Sequence, residues 1–155
     1  MSMVRYGRHA EAERWLVMAW DEGIVEASYH LGRALRGLGR EAEAVEWLRR
    51  AVERYAEFER ERYGFNRPDP RPELAELLMK SEQDEEAADV VARILEEYPG
   101  HLHGNRYAGI LARRRGDLET AAQHFEKIAD RDGDGSVGST LREIRDLLAQ
   151  VSHPH

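Results

Sequence analysis

The sequence predicts an all-α protein, a right-handed superhelix of antiparallel helix hairpins stacked as an α-solenoid of about eight helices. Three observations carry this expectation. Residues 7–20, GRHAEAERWLVMAW, recur at 39–52 as GREAEAVEWLRRAV, with 8 of 14 positions identical at a spacing of 32. The same skeleton returns more loosely at 82–95 (EQDEEAADVVARIL) and 116–129 (GDLETAAQHFEKIA). Finally, each copy carries a small residue (Ala12, Ala44, Ala87, Ala121) followed four positions later by a large apolar one (Leu16, Leu48, Val91, Phe125). That spacing puts both on one helix face, where the small residue admits a neighbouring helix and the large one fills the next layer. A period of this length marks hairpins that cannot bury an apolar face singly and so must stack.

The whole chain, 1–155, reads as a single domain of such units. It opens mid-unit, with a half repeat at 8–23 whose helix spans about 9–21. Full units follow at about 25–58, 68–101 and 102–135, each with a first helix bearing its own code: Leu31-Gly32-Leu35, Leu74-Ala75-Leu78 and Ala108-Gly109-Ala112. Gly37, Gly39 and Gly116-Asp117 mark the turns within units, and Tyr98-Pro99-Gly100 stops a second helix. The step from Ala44 to Ala87 is 43 residues, against 34 for the next, so an insertion falls at about 57–71. It is expected as an overlong helix to about Tyr63, then a loop stiffened by Pro68, Pro70 and Pro72. Two readings of it are open: a neutral surface insertion, cheap in loop entropy, or a partner-contacting arm using Tyr63 and Phe65. A capping helix at about 140–150 opens with Thr140 and Glu143 in capping-box spacing and carries Leu141, Ile144, Leu147 and Leu148 on one stripe.

Bulk composition narrows the function classes. Apolar residues make up 41% and charged residues 34%, which suits helices with a salt-bridging outer face. A net charge of -7 argues against nucleic acid and anionic lipid as partners. There is no cysteine, so thiolate metal sites and cysteine nucleophiles are excluded together. No apolar run approaches a membrane span and the start lacks a signal-peptide core, so a cytoplasmic location is expected.

The order Trp15, Ala19, Gly23, Ala27, Leu31, Gly32, with Trp47 and Ala51 beginning it again, resembles the Sel-like variety of the tetratricopeptide repeat superfamily. The resemblance extends over roughly residues 8–130, with Glu82 in place of the usual turn glycine and Asn105 where the family favours an aromatic. It implies a protein-interaction scaffold that takes up a partner segment in a concave groove lined by the first helix of each unit. Carried over residue by residue, the groove positions are Glu26, Tyr29, His30, Arg33 and Arg36 in the first unit. In the second they are Glu73, Glu76, Met79 and Lys80, and in the third His103, Arg106, Tyr107, Ile110, Arg113 and Arg114. Six basic residues against three acidic ones imply an acidic partner. The family's chaperone-tail clamp is not expected, because Tyr29, Arg33, Glu73, His103 and Tyr107 stand where its lysines, asparagines and arginine belong.

The remaining candidates are weaker in chemistry. Asp130, Asp132 and Asp134 with Gly135 follow a calcium-loop pattern, yet position 12 of that loop is Leu141 and Glu143 comes two residues late, so the expectation is an interhelical linker. His101 and His103 point to different faces of a helix start, and no spacing places a third ligand for zinc. No phosphate loop, nucleophile elbow or metalloprotease motif occurs, so neither an enzyme nor a cofactor is expected. The alternative to a scaffold is a structural self-assembling, homo-oligomeric repeat protein, a homodimer in its simplest form, in which Trp15, Met18 and Trp20 of the unpaired first helix meet another copy.

Overall fold

The computed structural model of the chain describes residues 3–58, 68–131, 133 and 135–152. Among these residues it holds eight α-helices and no strand. The helices are α1 (Met3–Asp21), α2 (Ala27–Gly37), α3 (Glu41–Glu53), α4 (Arg71–Lys80), α5 (Asp84–Glu97), α6 (Leu102–Arg114), α7 (Leu118–Glu126) and α8 (Ser136–Ser152). The chain falls into two compact units, Met1–Leu78 and Met79–His155, with the boundary inside α4. No described helix is long and apolar enough to cross a membrane.

In the first unit α1 packs on α2 and α2 on α3. Leu31 and Leu35 of α2 meet the small-large code of α3, and Ala44, Leu48 and Ala51 are all fully buried. Gly32 shows how close the helices come: a Cβ there would lie 2.6 Å from Leu48 Cγ. This contact requires glycine for space, since van der Waals repulsion rises steeply below 3 Å.

The insertion departs from expectation. Helix α3 ends at Glu53, well short of Tyr63, and a 3₁₀ turn at Tyr55–Glu57 takes over. The cause is Phe58, which is only 2% exposed and sits edge-on to Tyr55, with ring centres 5.5 Å apart. Continuing the helix would forfeit that burial. On the far side of the insertion the Asp69 carboxylate accepts from the Arg71 backbone N–H at 3.0 Å and from its guanidinium at 2.9 Å. That guanidinium is buried and stands 4.9 Å from the Tyr55 ring centre, so both ends of the insertion converge on one aromatic ring. Tyr63 and Phe65 lie outside the described residues.

In the second unit α5 packs on α6, α6 on α7 and α7 on α8. Its core joins Ala112, Ala121, Phe125, Ile128, Leu141 and Ile144. Gly109 repeats the role of Gly32, since a Cβ there would lie 2.6 Å from the Phe125 ring. Asn105 is fully buried with every polar atom satisfied. Its Nδ2 donates to the Pro99 and His101 carbonyls, each at 2.9 Å, which leaves Oδ1 to accept from His124 Nδ1 at 3.0 Å. An amide thus replaces the family's aromatic by tying α6 to the preceding turn and to α7.

The hairpin turns share one backbone geometry. Gly39, Glu82 and Gly116 have φ of 79°, 61° and 82°. The next residues, Arg40, Gln83 and Asp117, cap the following helix with φ near -90° (-91°, -93°, -87°). Two of these turns close by the same pair of bonds, Gly39 N to Arg36 O with Arg40 N to Leu35 O, and Gly116 N to Arg113 O with Asp117 N to Ala112 O. Glu82 is the described non-glycine residue forced into the left-handed region.

The last helix begins at Ser136, four residues before the expected Thr140. Gly135, at φ 76°, turns the chain, Ser139 N closes the first turn on Gly135 O, and Val137 is buried at 4% exposure. With Thr140 inside the helix, the expected capping box has no place, and Glu143 instead pairs with Arg113.

Candidate functional site

The predicted groove residues of the first unit lie on α2 and the start of α4. Tyr29, Arg33 and Arg36 sit at spacings of four and three, hence on one face of α2. That face is already occupied by the chain's own carboxylates. Arg33 Nε lies 3.2 Å from Glu73, Arg36 lies 3.7 Å from Glu73 and 3.0 Å from Glu76, and Tyr29 Oη donates to Glu73 at 3.5 Å. Burial and the Glu73 charge both push the Tyr29 phenol up. His30 is half-buried, and burial together with the Arg33 charge holds its pKa below the usual histidine value.

In the second unit, Met79 is buried and Lys80 exposed. His103 is exposed and its ring stacks on Tyr107 at 6.1 Å. Arg106, Ile110, Arg113 and Arg114 share one side of α6 and line a cavity of about 380 Å³. Its other walls are Phe125 of α7 and Ser136, Val137 and Thr140 of α8. Arg113 pairs with Glu143 at 2.9 Å, and Arg114 with Asp84 at 2.9 Å and with the Met79 carbonyl at 3.3 Å. Both ion pairs are at least one-third exposed on each side, the class whose net worth is about 0–1 kcal/mol, so an incoming carboxylate can exchange with them. Arg106 has no hydrogen-bond or ion-pair partner among the described residues. The arginines were legible through the family resemblance, which carries its groove positions onto α6. Phe125 was legible only as a core residue, and the α8 wall was not, because it depends on where α8 starts.

The other candidates are dispersed. Trp15 and Met18, one turn apart on α1, are 68% and 53% exposed. Trp20, by contrast, packs within its own unit, edge-on to Trp47 at 5.5 Å, with Arg54 over Trp20 and Arg50 over Trp47. Asp130 is exposed in a 3₁₀ turn, Ala129–Arg131, while Asp132 and Asp134 lie outside the described residues. Among the described residues no three histidine or carboxylate groups are arranged to hold a metal ion.

Comparison with known proteins gives the family. Residues 25–58 match one family model of the Tetratricopeptide repeat and residues 73–136 match a second. No curated protein matches the chain. Repeats of this kind serve generally as protein–protein interaction modules and not as enzymes. The two matched stretches cover more than half of the sequence, and their helical hairpins are those of the structure: the chain belongs to the tetratricopeptide repeat superfamily.

Proposed function

We propose that this protein is an interaction scaffold for an acidic peptide or protein segment, with Arg106, Arg113 and Arg114 binding carboxylates and Ile110 offering an apolar contact. The observation that carries this reading is the cavity of about 380 Å³ lined by three guanidinium groups and the Phe125–Val137 wall. Guanidinium forks bind carboxylates bidentately and select against neutral groups. Exposed Lys80 and His103 belong to the same proposed face, whereas Met79, expected there from the sequence, is buried and offers a partner no surface. The first unit offers its own face, Tyr29, His30, Arg33 and Arg36, but there an acidic ligand must displace Glu73, whose side chain is 23% exposed and is engaged by Arg33, Arg36 and Tyr29, as well as the more exposed Glu76. The second unit is therefore the stronger site. Assignment of the N-terminal half to the Sel-like variety belongs to the same proposal, supported by Gly23 at φ 93° and by the close approach at Gly32.

The test is fluorescence anisotropy with a labelled glutamate-rich peptide and its glutamine counterpart. The glutamate peptide should bind and weaken with added salt. Arg106→Glu should lower its affinity about tenfold, or about 1.4 kcal/mol. Unchanged binding by the Arg106→Glu/Arg113→Glu double variant would remove this cavity from consideration.

Self-association is the second reading, and the exposed Trp15–Met18 pair favours it. Sedimentation velocity decides it: a concentration-dependent dimer that Trp15→Glu dissociates supports the reading, and a monomer at all concentrations ends it.

A further inference from the structure

The side of α6 opposite the arginine cavity carries a second groove. Residues 106, 110 and 113 lie on one side of the helix, and 108, 111 and 115 come round roughly half a turn away. There Ala108 and Leu111 of α6 join Ala88, Val91 and Leu95 of α5 around a cavity of about 450 Å³, closed at one end by His124 of α7. A neighbouring cavity of about 480 Å³ shares Ala88, Leu111 and Arg115, so the depression continues along α5 towards its N-terminus. Both volumes fall in the range of ligand-sized pockets.

The floor and rim have different chemistry. Ala88 and Ala92, one turn apart on α5, and Ala108 on α6 leave room for another backbone to approach closely, as helices do across small residues. The rim is acidic: Glu85, Asp89 and Glu96 are exposed and have no hydrogen-bond or ion-pair partner among the described residues, and Asp84 adjoins them in its pair with Arg114. Against them, Arg115 is the cation lining both cavities. Burial, and after it the Lys127 and Arg115 charges, hold the His124 pKa below the usual histidine value.

We infer that this groove docks an amphipathic helix of a partner protein, apolar on the face laid over the alanines and carrying lysine or arginine along the flank facing α5. The alanine floor favours a helix, and the unpaired carboxylates set the sign of its charge. The ligand is opposite in charge to the one proposed for the arginine cavity, so the two sites are separable.

The probe is a fluorescein-labelled synthetic helix with leucines at helical spacing and lysines elsewhere, compared with the same peptide bearing glutamates. In the Arg106→Glu/Arg113→Glu protein, whose arginine cavity no longer takes glutamates, the lysine peptide should bind at least tenfold more tightly than the glutamate peptide. Ala92→Trp fills the groove at an exposed position without altering charge and should weaken the lysine peptide at least tenfold. Reversing the rim with Glu85→Lys/Asp89→Lys/Glu96→Lys should invert the preference in that same Arg106→Glu/Arg113→Glu protein. The inference fails if Ala92→Trp binds like the parent, which would mean diffuse attraction to an acidic protein. It fails equally if both peptides bind alike to the Arg106→Glu/Arg113→Glu protein, or if sedimentation shows that Ala92→Trp dissolves a self-association through this face.

Discussion

Glu82 holds a backbone position that its side chain disfavours. In the equivalent turns the left-handed residue is glycine, and an L-residue there costs about 1–2 kcal/mol. Glu82→Gly should therefore stabilise the protein by about 1 kcal/mol, less the extra entropy glycine gives the unfolded chain. A urea titration that moves the midpoint downwards would contradict this. A second effect at this scale is acid sensitivity. Burial lowers the pKa of His30 and of His124, aided by Arg33 in the first case and by Lys127 and Arg115 in the second. Each then takes up a proton more readily in the unfolded chain, so stability is full above the ordinary histidine pKa of about 6.5 and is lost as pH falls below it. Urea midpoints compared between about pH 7.5 and pH 5 should fall, and the fall should shrink when both histidines become glutamine.

At the scale of elements, the two glycine crossings are the most constrained points. Gly32→Ala would drive a methyl into Leu48, which is fully buried, and Gly109→Ala would drive one into the Phe125 ring. Each should destabilise by about 1–3 kcal/mol through overpacking, read as a lower melting temperature with the helical signal retained. Full stability in both variants would mean that the helices separate more easily than their packing indicates. The crossings were legible in the sequence because a small residue at helical spacing before a large one needs no knowledge of the partner helix. Helix ends were less legible. The stop of α3 at Glu53 follows from burial of Phe58, and the start of α8 from burial of Val137, and both are tertiary effects that local signals do not carry. The same limit applies to the site. The family resemblance marked Arg106, Arg113 and Arg114 as groove positions, whereas the engagement of Arg33 and Arg36 by Glu73 and Glu76 depends on a register set across the insertion.

For the molecule as a whole, the aspartate-rich turn should have no bearing on folding. Leu141, at the position where a calcium loop needs its bidentate carboxylate, is buried in the core of the second unit, and Glu143 is held by Arg113. Calcium or chelator should leave the melting temperature unchanged, whereas a rise of several degrees at micromolar calcium would establish a site. The sequence carries three tryptophans, and Trp15, Trp20 and Trp47 all fall within Met1–Leu78. Tryptophan emission of this protein is consequently a spectroscopic signal of the first unit alone. Trp15 stands in solvent, while Trp20 and Trp47 meet edge-on with an arginine over each ring. A titration followed by tryptophan fluorescence would thus have no tryptophan at the arginine cavity or the alanine groove. Occupancy of either must be read from a label on the ligand, or from a tryptophan placed in the second unit for that purpose.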